Sequence, residues 1–237
     1  MRQKRNKRAT EIRSGLTLTE IAYLEIEERI VTLELTPGKI LSESQLVESL
    51  GIGRTPIREA LQRLANEGLV VIMPRRGIVV SDINIHSQLE MLRVRREIER
   101  LMSRLAALRA VPEERNEFKR IADGMKRASR QRDDVSFMRL DREFNKLVAS
   151  ASRNEYARKA ITLTTGLSRR FWYVHYKEVL DLPLCANLHA ELAEKIAAGN
   201  EDAAATACDR LIDYIETFTR ASVDRPRAYL AKLSRDT

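Results

Sequence analysis

Arg54 and Arg58 follow a Gly51-Ile52-Gly53 turn and stand four residues apart, a spacing that places both on one face of a helix. Thr55, Glu59 and Gln62 lie near that face. Further on, Pro74-Arg75-Arg76-Gly77 separates two β-rich runs, Leu69–Met73 and Ile78–Val80, and reads as a hairpin tip. A guanidinium is a planar fork that can give two hydrogen bonds to guanine O6 and N7, or to a phosphate. A helix start bearing arginines beside a basic hairpin tip therefore suits duplex DNA. The helix enters the major groove, and the tip reaches a phosphate or the minor groove. On spacing alone, the same arginines could also form an ordinary solvated face.

A second group of polar residues lies further along the chain. In FMRLDREFNKLVASASRN, Phe137, Leu140, Phe144, Leu147 and Val148 make an apolar stripe, with Asp141 at its edge and Asn145 one turn on. A carboxylate and an amide so placed can reach one ligand or one metal ion. Alternatively, Asp141 pairs with a neighbouring arginine. In LRVRREIERLMSRLAALRA, Val94, Ile98, Leu101, Leu105 and Leu108 are expected on the core side, with Arg95 and Glu99 one turn apart beside them. By spacing alone, Arg95 and Glu99 could form an ion pair on the helix surface. SRRFWYVHYKE over 168–178 brings Trp172, Tyr173 and Tyr176 together as packing, dimer-contact or cavity residues.

These residues need elements to position them. Residues 17–35 read as a supporting helix with Thr19 as its cap, ended by Pro37-Gly38; Tyr23 reads as a packing residue. Ser42 caps the next helix, with Gln45 at capping-box spacing. Pro56 falls in the first turn of the arginine helix, where a missing N–H costs little. Ile57, Ala60, Leu61 and Leu64 face its core. A two-stranded ribbon follows. After Ser81–Ile85 the strand signal ends, and helices are expected at about 86–110, 112–131, 133–152, 154–180, 184–198 and 200–222.

SESQLVESLGIGRTPIREALQRLANEGLV followed by PRRGIVV resembles the winged helix-turn-helix of the GntR family of bacterial transcription regulators. The resemblance implies DNA contacts from Arg54, Thr55 and Arg58, with Gly77 at the wing-tip position; Ser44, Arg75 and Arg76 complete the candidate set. One departure is Gly53, where the family commonly has Ser. The all-helical remainder resembles the FCD domain of the FadR-type branch, which binds a small effector and dimerises. Six helices rather than seven resembles the VanR-like subgroup.

The FCD pattern implies four metal ligands. Asp141 and His189 match, Asn145 stands where a histidine is expected, and the position 22 residues after His189 is Leu211. His175 is off the pattern, although a rearranged site could recruit it. No cofactor is firmly implied, and a divalent metal held by Asp141, Asn145 and His189 would be weak, since transition-metal sites lean on imidazole. The resemblance also puts Arg95 at a position whose arginine points into the FCD cavity, so without a metal Arg95, Asp141, Asn145 and His189 form the candidate effector site, and a carboxylate is the ligand class it implies.

The chain has 237 residues, 43% hydrophobic and 5% aromatic, enough for two domains of mainly α structure built on Leu, Ala and Ile. The expected order is a basic tail over 1–14 and a winged helix-turn-helix over 15–81. A linker over 82–85 leads to an all-α effector and dimerisation domain of six to seven helices over 86–223, then a tail over 224–237. Net charge +8 permits binding to a polyanion. Cys185 and Cys208 fit no metal motif and suit a reducing compartment. No apolar run is long enough to span a membrane and no secretory signal is seen, so a cytoplasmic protein is expected.

The function expected is a non-enzymatic regulator, a repressor in the usual manner of the family. A homodimer would bind a short palindromic operator under control of a small molecule. The competing readings are a non-specific architectural DNA binder and an enzyme using Asp141 and His189.

Overall fold

The computed structural model describes residues 15–75, 77–179 and 181–222. The basic tail, Arg76 and the C-terminal tail lie outside them. The chain divides into two compact units. The first comprises residues up to Ile83 together with Thr165–Tyr173; the second is Asn84–Thr164 with the residues from Val174 onward.

In the first unit, α1 spans Leu18–Val31. Its cap is Thr17 rather than Thr19: Thr17 accepts from the Glu20 N–H while Glu20 accepts from the Thr17 N–H, a full capping box. Thr19 instead donates to Glu59 at 2.6 Å. The helix stops four residues short of 35, and Leu33 turns into the left-handed region. Helix α2 spans Glu43–Leu50, capped by Ser42 and ended by Gly51 at φ 66°. Helix α3 spans Arg54–Asn66 and buries Ile57, Ala60, Leu61 and Leu64, the stripe that the spacing predicts.

The ribbon is three-stranded rather than two-stranded. Strand β1 (Ile40–Leu41) adds to β3 (Gly77–Val80), which pairs antiparallel with β2 (Val70–Met73), giving the order β1-β3-β2. Two residues are too few to show any alternation, so β1 left no signal in the sequence. Ala22, Ile26 and Ile30 of α1 meet Ile57, Leu61 and Leu64 of α3, with Leu69, Val70 and Val80 from the sheet, in one core.

The second unit is helical throughout its described residues. Its elements are α4 (Ile85–Arg109), α5 (Pro112–Gln131), α6 (Asp134–Ala151), α8 (Leu182–Ala197) and α9 (Glu201–Ala221). Helix α7 (Glu155–Val179) contributes to both units. Side-chain caps from Asn84, Asp133, Asp181 and Asn200 start α4, α6, α8 and α9. Arg115 donates to the carbonyls of Ala107, Ala110, Ile196 and Ala197, tying the ends of α4 and α8 together.

One expectation for α4 fails. Val94, Leu101 and Leu108, expected in the core, are 55%, 44% and 56% exposed. The buried side carries Leu92, Met102, Ser103, Ala106 and Ala107 instead. Small side chains let α4 lie close against α9, its main neighbour, and Arg96 fastens the pair through Asp213 at 2.7 Å.

Candidate nucleic-acid interface and effector site

Helix α3 turns Arg54, Thr55, Arg58 and Gln62 to solvent, opposite its buried stripe. Its N-cap is Gly53, which makes no side-chain cap bond, so the first-turn N–H groups carry no protein cap. Those groups and the helix dipole favour an anion at the same end as Arg54. Arg58 is not idle in the free protein: its Nε donates to Glu43 Oε2 at 2.7 Å, from the first turn of α2. Ser44 is exposed on that turn and shares a hydroxyl contact of 2.8 Å with Ser42. At the wing, Arg75 is exposed with φ 64° and Gly77 has φ 84°. The tip thus holds an arginine in a backbone conformation that ordinarily favours glycine. Glu59, expected beside the arginines, is drawn toward α1 by Thr19.

The other end of α3 is buried in polar contacts that the sequence did not suggest. Tyr23 donates to Glu67 Oε2 at 2.7 Å, and the Arg63 guanidinium lies 3.6 Å over the Tyr23 ring while its Nε donates to Glu67 Oε1. Burial, with Glu27 and Glu67 nearby, pushes the Tyr23 phenol far above its usual value. The α7 segment of this unit continues the network. Arg169 donates to Glu27 at 2.8 Å and Glu28 at 2.9 Å. Burial raises the Glu27 carboxyl above the usual carboxylate range even with Arg169 against it. Arg170, buried, donates to the carbonyls of Ser81 and Asp82 and to the Ser81 hydroxyl. The sequence carried only the neighbouring aromatic cluster as a signal.

In the second unit, α6 and α8 bring Asp141, Asn145 and His189 together. The Nδ1 of buried His189 is 2.8 Å from the Cys185 carbonyl, so it must be the donor there. Its Nε2 faces Asp141 Oδ1 at 3.2 Å, and Asn145 Nδ2 donates to the same oxygen at 3.0 Å. Phe137 and Phe144 present their rings edge-on at 5.3 Å and 6.2 Å. Burial opposes charge on the ring, yet the Cys185 sulfur and the Asp141 carboxylate push its pKa well above the usual histidine value. With Nδ1 donating to a carbonyl and Nε2 facing a carboxylate, both ring nitrogens meet acceptors, an arrangement that favours the protonated ring.

Arg95 Nε donates to Glu99 at 2.6 Å, and both side chains are mostly covered. Close by, burial and the Glu99 carboxylate push the Cys208 thiol up to about 12.

The metal that the FCD resemblance implies does not fit these residues. Asp141 Oδ1 is already met by two donors, Asn145 offers an N–H rather than a lone pair, and Leu211 is a buried hydrocarbon. Among the described residues, which include His175, no three His, Cys, Asp or Glu side chains gather as a metal would need. No helix among them is long and apolar enough to cross a membrane.

A winged helix-turn-helix with an exposed arginine face, joined to a helical unit with a buried polar centre, defines a DNA-binding regulator with an effector domain. Comparison with known proteins agrees. The family model described as "Bacterial regulatory proteins, gntR family" matches residues 18–80, and the FCD domain model matches residues 90–214, more than half the chain. The chain belongs to the GntR family of bacterial regulatory proteins, in the branch that carries an FCD domain. It is a DNA-binding transcription regulator and not an enzyme, and its FCD domain implies a small-molecule effector.

Among its relatives is an HTH-type transcriptional regulator in an unstable DNA locus of Streptomyces ambofaciens. The two are 28% identical over 226 residues, 93% of this chain and 91% of the relative. The HTH-type transcriptional repressor RspR of Escherichia coli is 22% identical over 89% of this chain and 92% of its own. Among solved structures, E. coli McbR/YncC superposes with a TM-score of 0.73 at 19% identity, over 88% of this chain and 100% of that one.

Proposed function

We propose that the protein is a cytoplasmic homodimeric repressor of the VanR-like subgroup, released from or locked onto a short inverted repeat by a small carboxylate. Arg54, Thr55 and Arg58 read one half-site in the major groove, while Arg75 and Gly77 of the wing, with Arg76, approach the backbone or the minor groove. Ser44 adds a phosphate contact. Protein symmetry then requires a palindromic operator. In the second unit, Arg95 trades Glu99 for the ligand carboxylate, while Asp141, Asn145 and His189 hold the ligand's polar groups. The effector acts by binding one arrangement of the dimer better than the other.

The observation that carries this reading is the exposed arginine face at an N-terminus without a side-chain cap on α3. The test is operator selection from a random duplex library, followed by titration with the wild type and Arg58→Ala. A bidentate base contact is worth about 1–3 kcal/mol, so the variant should lose about 5- to 150-fold on the selected operator and little on random duplex. Equal affinities for the two proteins on the operator would move the recognition surface elsewhere.

A further inference from the structure

Helices α5 and α6 form a hairpin whose outward side is strongly basic. Between Lys119 and Lys146, nine lysines and arginines stand against five carboxylates. Three of those carboxylates are already engaged: Asp133 caps α6, Asp141 faces His189, and Glu143 holds Arg120 at 2.6 Å. On α5, Lys119, Arg127 and Arg130 are exposed, opposite the buried stripe of Phe118, Ile121 and Met125. On α6, Arg139 and Lys146 are exposed seven residues apart on one face, opposite buried Phe137, Phe144 and Val148. None of these five cations makes an ion pair among the described residues. The arginines of α4 differ: Arg93, Arg95, Arg96, Arg100 and Arg104 each have a carboxylate partner.

The two basic rows belong to one surface. A Cβ on Gly124 would sit 2.9 Å from Leu140 Cδ1, so the missing side chain lets the helices approach closely. Arg120 spans the groove between them to Glu143, and Phe118 meets Phe144 edge-on at 6.1 Å. Both buried stripes point into the bundle, so both rows point out of it, about 8–10 Å apart. That separation lies between the widths of the minor groove, about 6 Å, and the major groove, about 12 Å, so the rows can meet the two phosphate strands that border a groove. At the hairpin tip Arg132 is exposed at φ 51°, a conformation that favours glycine, and it too makes no ion pair among the described residues.

What the face lacks narrows the partner. Phe118, Phe137 and Phe144 are buried, so there is no platform on which the bases of a single strand could stack. Val135 alone is large, apolar and exposed on the two helices, too little for a bilayer or for the buried centre of a protein interface. We propose that the outward face of the α5–α6 hairpin is a second contact for duplex DNA, one that holds phosphates without reading sequence. It is separate from the arginine face of α3 and does not depend on the operator reading above.

The test is how the full chain's affinity for a random-sequence duplex of about 60 base pairs falls with salt, since each cation seated on a phosphate adds about 0.9 to the slope of log affinity against log salt. Arg127→Gln, Arg130→Gln, Arg139→Gln and Lys146→Gln together should lower that slope by about 2 to 3.5, for two to four seated cations. Arg130→Gln alone should lower it by about 0.9, and Arg127→Lys, Arg130→Lys and Arg139→Lys together should keep it. Gln at Arg100, Arg104, Arg210 and Arg220 removes the same charge from paired positions on α4 and α9, and should lower it by less than about 1. Uptake of the long duplex by protein already saturated with an operator of about 20 base pairs would put the contact on a separate DNA molecule; uptake only when both lie in one duplex would put it on flanking DNA. Either result carries the proposal. Equal slopes for the wild type and the first Gln set, or equal losses from the two Gln sets, would overturn it and leave the Arg58→Ala test of the operator reading untouched.

Discussion

Arg58 is held before any DNA arrives, because Glu43 on the neighbouring helix grips its Nε at 2.7 Å. On the proposed reading, operator binding exchanges that carboxylate for a base edge or phosphate, so the Glu43 pairing is a cost of reading the site. Glu43→Gln should therefore tighten binding to the selected operator about two- to fivefold, within the value of an exposed ion pair, as read by fluorescence anisotropy at constant salt. The arginine spacing was legible because residues four apart on a helix are neighbours. Glu43 was not, since it stands 15 positions from Arg58 on another helix.

His189 shows the same limit. Its meeting with Asp141 depends on how α6 and α8 pack, and only resemblance to a family pointed there. With its folded pKa raised, the ring stabilises the fold fully below its unfolded value near 6.5 and loses that contribution as pH rises through the folded value. The unfolding temperature should thus fall on raising the pH from about 6 toward 9. In Asp141→Asn that fall should be smaller, and calorimetry across the range would show the difference.

At the scale of elements, the sequence marks apolar stripes without saying what covers them. The stripe on α3 faces a core, whereas the one on α4 faces outward, and in α4 the small residues Ser103, Ala106 and Ala107 make the inner contact. Hydrophobicity alone ranks the two faces of α4 the wrong way round, because close helix approach depends on side-chain size. Gly166 in α7 makes the same point. A Cβ there would sit 2.5 Å from Leu69 Cδ1, a fully buried side chain, and 3.4 Å from Glu27 Oε1. Alanine would normally improve a helix, yet Gly166→Ala should destabilise the first unit by about 1–3 kcal/mol through overpacking. Hydrogen exchange should show the loss in α1 and β2, with α5 and α8 unchanged.

For the whole molecule, the net charge of +8 gives general attraction to a polyanion, but it is spread along the chain and does not choose a sequence. In the dimer proposed above, choice would come from two copies of α3 held at a fixed separation, which should prefer half-sites about 10 base pairs apart. Inserting about five base pairs between them would turn one half-site to the opposite face of the duplex. Gel-shift affinity should then fall to that of a single half-site. An operator that tolerated the insertion would mean that the two reading heads swivel independently.

The first unit is assembled from two stretches of chain, residues up to Ile83 and Thr165–Tyr173. This sets an order of events during synthesis. When the ribosome has made the helix-turn-helix and its wing, Leu69 has no Gly166 to lie against, Glu27 has no Arg169, and the Ser81 and Asp82 carbonyls have no Arg170. At about 5–20 residues per second, that state lasts some 5–20 s before the missing piece is made. A chain cut before Thr165 therefore lacks part of its first unit, and the helix-turn-helix made alone should unfold at a lower temperature than the same unit in the full chain.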